Sequence, residues 1–129
     1  MGKEIQFILY NLPDGSGVVQ AYIEDETLWL TQKAMAQLFG VEINTINYHL
    51  KEIYASIELA QEATIRKIRI VQQEGNRQVK RERIFYNLDA IISVGYRVNS
   101  QRATYFRQWA TKILNDFIRK GFVLDDNRL

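Results

Sequence analysis

The sequence predicts an α+β domain, and three observations predict it. Alternating stretches flank the turn formers Pro13-Asp14-Gly15 and Gly75-Asn76. Other stretches carry apolar residues at the three- and four-residue spacing of helices. The chain has 129 residues and is 47% hydrophobic, which suffices for one domain with a real core.

Residues 1–30 read as an N-terminal hairpin and a short strand. Ile5, Phe7 and Leu9 alternate with Glu4, Gln6 and Ile8. Pro13 fixes φ, Asp14 offers an Asx-type hydrogen bond, and Gly15 is free to take positive φ. Val18 to Ile23 resumes the β pattern, Glu24-Asp25-Glu26 reads as a solvated acidic corner, and Leu28-Trp29-Leu30 as a third strand.

Residues 31–54 read as two helices. Thr31 is a good N-cap, Ala34, Met35, Leu38 and Phe39 give an apolar face, and Gly40 stops the first helix. The second runs from about Asn44 to Tyr54, with Ile46, Leu50 and Ile53 inward. Residues 63–86 read as a second hairpin. Its Gly75-Asn76 turn pairs Glu74 with Arg77, which sets Arg69 opposite Glu82 and Ile65 opposite Tyr86. Its base is the apolar set Ile65, Ile84, Phe85 and Tyr86.

Residues 87–120 read as a helical C-terminal subdomain. Asn87 caps a short helix to Arg97 that buries Ile91, Ile92 and Val94. Ser100 caps a longer one to about Lys120, with Ala103, Phe106, Trp109, Ala110, Ile113, Leu114, Phe117 and Ile118 on a broad core face. Tyr105 and Trp109, at i and i+4, go to the core together, and Gly121 ends the helix.

Composition excludes several function classes. There is no Cys, which removes disulfides, zinc fingers and thiol nucleophiles, and His49 is the single His. Placed beside Leu50, His49 reads as a packed, hydrogen-bonded core residue. No apolar run nears the roughly 18 residues of a membrane span, and no signal-peptide pattern opens the chain. No nucleophile–base pair, metal cluster or phosphate loop is visible, so neither catalysis, a cofactor nor a metal is expected. The protein is expected to be cytoplasmic.

The stretch from Gln32 to Ile46 resembles a helix-turn-helix. A small residue, Ala36, sits where two helices would cross closely. Gly40 supplies the turn, and Val41 and Ile46 plug the angle between them. An ordinary αα-hairpin needs similar residues. With Ile46, Leu50 and Ile53 inward, Asn44, Thr45, Asn47, Tyr48 and Lys51 are left to enter a DNA major groove. Asn reads adenine edges, while Thr, Tyr and Lys contact phosphates. Lys51 is the helix's one basic residue, and Glu42 and Glu52 flank it.

Charge is unevenly distributed. Residues 1–65 hold 3 Lys/Arg against 9 Asp/Glu, and residues 66–120 hold 13 against 4. An anionic partner fits this asymmetry, as does a match between acidic and basic halves. The second hairpin carries Arg66, Lys67, Arg69, Arg77, Lys80, Arg81 and Arg83. Downstream of a helix-turn-helix, it stands where a winged helix has its wing, to hold phosphates or a minor groove. The expected architecture is therefore a winged helix-turn-helix core with β-hairpins and a helical C-terminal subdomain.

The runs Glu74 to Arg81, Tyr86-Asn-Leu-Asp89 through Arg97-Val-Asn-Ser100, and Phe106-Arg-Gln-Trp-Ala110 resemble the RhuM virulence-protein family. So do Trp29 to Val41 and Asn127-Arg-Leu129. The resemblance implies a bacterial cytoplasmic protein linked to virulence or mobile elements, and it implies no reaction. A local likeness to phage antirepressor and Bro-N-like domains points to DNA. Members of the family run longer, so the chain is expected to be the N-terminal part of a longer protein, with a protein partner engaged through the missing C-terminal region. The His-Pro-Phe and Gly-Asn-Gly signature of Fic-type enzymes is absent.

The expected function is sequence-selective binding of double-stranded DNA by a transcription regulator. A homodimer is expected, because helix-turn-helix readers bind paired half-sites. The rival is a protein-interaction module, an antirepressor or toxin-type partner that sets the basic hairpin against an acidic protein.

Overall fold

The computed structural model of the protein describes residues 6–120. Five antiparallel strands form one sheet: β1 (Gln6–Asn11), β2 (Val18–Glu24), β3 (Thr27–Leu30), β4 (Ile65–Glu74) and β5 (Arg77–Asn87), in the order β1-β2-β3-β5-β4. The helices are α1 (Gln32–Phe39), α2 (Ile43–Ala55), α3 (Gln61–Thr64), α4 (Leu88–Val98) and α5 (Ser100–Lys120). The mixed helix and antiparallel sheet is the α+β class the sequence predicts.

Side-chain parity divides the sheet into two faces. One face, with Ile8, Tyr10, Val19, Ala21, Ile23, Leu28, Leu30 and Tyr86, packs against the helices and forms the main core. The other buries only a small cluster of Tyr22, Trp29, Ile68 and Phe85. The expected pattern of β1 is corrected here. Ile8 and Tyr10 point inward, whereas Phe7 and Leu9 are 45% and 55% exposed on the second face. Apolar residues occupy both parities of this strand, so alternation alone misleads. Ile5 lies outside the described residues.

Local chemistry sets the element ends. Thr31 Oγ1 accepts from the Ala34 N–H and opens α1, and Gly40 closes it with φ 72°. The Ala36 carbonyl then accepts from both Gly40 and Val41. Met35, Leu38 and Phe39 of α1 and Ile46, Leu50 and Ile53 of α2 are buried, as their spacing requires. Asn87 Oδ1 caps α4 through the Ala90 N–H. Asn99, rather than Ser100, caps α5, accepting from Arg102 N–H; both are capping types, and the register decides.

The hairpin register is the one read from the sequence, with Glu74 opposite Arg77, Arg69 opposite Glu82 and Ile65 opposite Tyr86. Gly75 takes φ 64° at the first turn position, which matches the strand twist. The remaining differences follow from packing. The four-residue α3 has too little periodicity to be foreseen. Ile84, Tyr105 and Ile118, assigned to apolar sets, are about half-exposed at 48%, 45% and 52%. Ile84 stands beyond the reach of the helices, and Tyr105 and Ile118 lie on the outer side of α5. The expected stop at Gly121 lies outside the described residues.

Candidate nucleic-acid interface

The outer strip of α2 begins from helical geometry. At 3.6 residues per turn, the inward set Ile46, Leu50 and Ile53 leaves Asn44, Tyr48, Lys51 and Ala55 stacked on the opposite side. All four are exposed. Thr45 and Asn47 are half-buried and stand roughly 160° apart around the helix axis. The five expected reading residues therefore form a central strip of three with one residue on each flank. Glu52 hydrogen-bonds the Tyr48 phenol and holds its pKa above the ordinary tyrosine value.

Asn47 faces the β4–β5 ribbon. Gln32, the first residue of α1, donates from Nε2 to Tyr86 Oη at 2.9 Å and to Asn47 Oδ1 at 3.4 Å. This network joins α1, α2 and β5 across a groove of about 370 Å³, lined also by Lys51, Tyr54, Gln61 and Ile65. Gln32 was not among the expected site residues. Its partners lie 15 and 54 positions away, a separation that leaves no local pattern.

The seven basic residues of the ribbon do not share one surface. Residues paired directly across an antiparallel ladder point the same way, and successive residues along a strand point oppositely. The observed register puts Arg66, Arg77, Arg81 and Arg83 on the outer face and Lys67, Arg69 and Lys80 on the opposite face, whose root at Ile65 and Tyr86 meets α2.

Two of the outer-face arginines are committed to the fold. Arg66 Nη1 lies 2.9 Å from Glu24 Oε1 and 2.7 Å from Asp25 Oδ2, and its guanidinium sits 4.4 Å from the Trp29 ring centroid. Burial pulls the Arg66 pKa down, but these two carboxylates outweigh it and hold the pKa above its ordinary value. The expected solvated acidic corner is thus a clamp. Asp25 and Glu26 both take positive φ in its two-residue turn, the primed geometry a tight hairpin needs. Arg81 donates from Nε and Nη2 to the two oxygens of Glu74 at 2.9 and 2.7 Å, a bidentate pair.

Arg83 lines a second cleft with Tyr22, Phe85 and Lys33, where the β1–β2 and β4–β5 hairpins diverge around α1. His49 is half-buried and packs edge-on against Tyr48, with ring centroids 5.1 Å apart. The hydrogen bond expected of it is absent at Nδ1, which is buried without a partner.

Ile57, also outside the expected set, lies just past α2. It is 83% exposed and takes φ 61°. Its N–H binds the Tyr54 carbonyl and the Glu58 N–H binds the Ile53 carbonyl, a Schellman motif with isoleucine where glycine is usual. Only the missing glycine after α2 hints at it in the sequence.

No helix among the described residues is long and apolar enough to cross a membrane. No curated protein and no solved structure matches the chain. A family model does match, that of the Virulence protein RhuM family, over residues 63–129. The match covers just over half of the 129 residues and begins at α3, taking in the basic ribbon, α4 and α5. The chain belongs to the Virulence protein RhuM family.

Proposed function

We propose that this virulence-associated protein binds double-stranded DNA as a sequence-selective regulator. In this reading α1 and α2 act as a helix-turn-helix and the β4–β5 ribbon as its wing. The observation that carries it is the groove in which Asn47 and Lys51 of α2 meet Ile65 and Tyr86 at the root of the ribbon, with Lys67, Arg69 and Lys80 farther out on that same ribbon face. A duplex whose major groove takes α2 would lay a neighbouring phosphate strand along those three cations. The division of labour follows from charge. One lysine on α2 supplies little electrostatic affinity, so the ribbon holds the backbone while α2 reads bases. Asn47, its Oδ1 oriented by Gln32, presents an amide to a base edge from the flank.

Fluorescence anisotropy with labelled duplexes tests this. Affinity should fall by orders of magnitude between about 50 and 200 mM salt. Replacing Lys67, Arg69 and Lys80 by Gln should lower the salt slope by about 2 to 3. Asn47→Ala should mainly erode discrimination between sequences. Absence of binding to any duplex at low salt overturns the proposal.

A second reading has its own support. Glu42 and Glu52 flank the outer strip of α2 and would repel phosphates. A protein-interaction module that meets an acidic partner through the ribbon alone accommodates them, and it predicts no duplex retention.

A further inference from the structure

The sheet has two edges, and they are built differently. A free strand edge offers unpaired N–H and C=O groups to any other strand, and proteins guard such edges with charge, proline or bulges. The β4 edge is guarded by Arg66, Lys67 and Arg69. Among the described residues the β1 edge is not: Gln6-Phe-Ile-Leu-Tyr-Asn11 contains no charge, proline or glycine, and its register with β2 runs unbroken for six pairs.

The phase of the free groups can be read from the turn. The Leu12 N–H binds the Gly17 carbonyl at 2.9 Å. In an antiparallel ladder, bonded pairs recur at every second position. Tyr10–Val19 and Ile8–Ala21 are then the bonded pairs, and Phe7, Leu9 and Asn11 turn their backbone groups away from β2. Two of these residues, Phe7 and Leu9, carry the exposed apolar side chains of the strand.

We infer that β1 is a homodimer interface, with two copies pairing antiparallel along this strand about a two-fold axis at Leu9. Leu9 of one copy then faces Leu9 of the other, and Phe7 faces Asn11 on either side. Three such bonded pairs supply about six hydrogen bonds. A two-fold axis normal to the sheet keeps both helix layers on one side and joins the five-stranded sheets into one. It also brings the exposed Phe7 and Leu9 side chains of both copies together.

A second copy is the occupant that the charge pattern favours. An uncharged strand meets its own twin without repulsion, whereas two β4 edges would set arginines and lysines against each other. The isologous contact closes on itself, and the guarded β4 edge stops further addition. This inference is independent of DNA binding, and its test uses no DNA.

The chain has no cysteine, so a single introduced thiol reports the contact cleanly. Leu9→Cys places two thiols face to face across the axis, where a short bismaleimide joins them into a covalent dimer. Gln20→Cys, opposite Leu9 on β2, is the control, since its two copies stand about 14 Å apart, three strand spacings. Sedimentation of the unmodified protein should give twice 15.1 kDa at high micromolar concentration. Leu9→Lys should sediment as a monomer with an unchanged circular dichroism spectrum, Leu9 being exposed. A monomeric unmodified protein, a Leu9→Lys variant that remains dimeric, or a Leu9→Cys variant that links no faster than Gln20→Cys overturns the inference.

Discussion

Arg102 on α5 donates from Nη2 to Asp14 Oδ2 at 2.7 Å and from Nη1 to the Leu38 carbonyl at 2.9 Å. One guanidinium thereby ties the last helix to the first hairpin turn and to the end of α1. It lies over Gly40, where an added Cβ would stand 3.3 Å from Nη1.

Arg102→Ala should therefore destabilise the fold by about 2 kcal/mol, chiefly through the charged hydrogen bond to a carbonyl that α1 leaves unpaired. Arg102→Lys loses the fork and should fall between the two. Asp14→Asn, at an exposed carboxylate, should have much the smaller effect. Urea denaturation followed by circular dichroism ranks the three.

Stability should fall in acid. Asp14 is held below the ordinary carboxylate range by hydrogen bonds from Ser16, with Arg102 adding to them. Glu58 is lowered by Ser93 and then Arg97, and Glu74 by Arg81. Each group has a lower pKa folded than unfolded. Its contribution is present above the unfolded value and is lost as pH falls through the folded one. The melting temperature should thus drop below about pH 4, and combining Asp14→Asn, Glu58→Gln and Glu74→Gln should flatten that limb of the curve.

Gly95 on α4 is a contact, not a turn. A Cβ there would meet Phe39 Cζ at 2.6 Å and Ala103 Cβ at 2.7 Å, and both neighbours are fully buried in the core. Neither can yield, so Gly95→Ala should cost about 2 kcal/mol by overpacking, despite the better helix propensity of alanine. Thermal denaturation measures the loss.

Ile57 makes the opposite case. A β-branched residue at positive φ is strained, and this side chain buries almost nothing. Ile57→Gly should stabilise the protein by about 0.5–1 kcal/mol, since glycine meets no steric penalty in the left-handed region. Equilibrium unfolding checks the sign, and a loss of stability would show that the exposed side chain makes a contact worth more than the strain.

Where sequence patterns are local, they predict well. The Gly75-Asn76 turn alone sets the register of ten residue pairs, and Thr31 and Asn87 announce their helices because a cap bonds within three residues. The inward residues of α2 follow directly from their spacing. What escapes is long-range or two-sided. β1 is apolar on both parities, so its inward face is decided by the helices above it and not by its own alternation. A tally of seven cations on one ribbon hides that register sends them to opposite faces. The clamp of Glu24 and Asp25 on Arg66 spans 42 positions, and nothing in either segment names the other. The candidate site was thus readable as a set of residue types, while its division into exposed strip, flank and structural arginines required the fold.

The sheet is joined at a narrow seam. β3 meets β5 through only two pairs, Trp29–Asn87 and Leu30–Tyr86, while β4 and β5 continue together for nine more pairs to Glu74–Arg77. Mechanically this makes the ribbon a cantilever, clamped at its root by Arg66 and Trp29 and stiffened near its end by the Glu74–Arg81 pair. Between those two points stand Lys67 and Arg69, whereas Lys80, paired with Val71, lies within the stretch that the Glu74–Arg81 pair spans. A load on the arm is thus taken up along its middle while its root, and the helix beside it, stay in place.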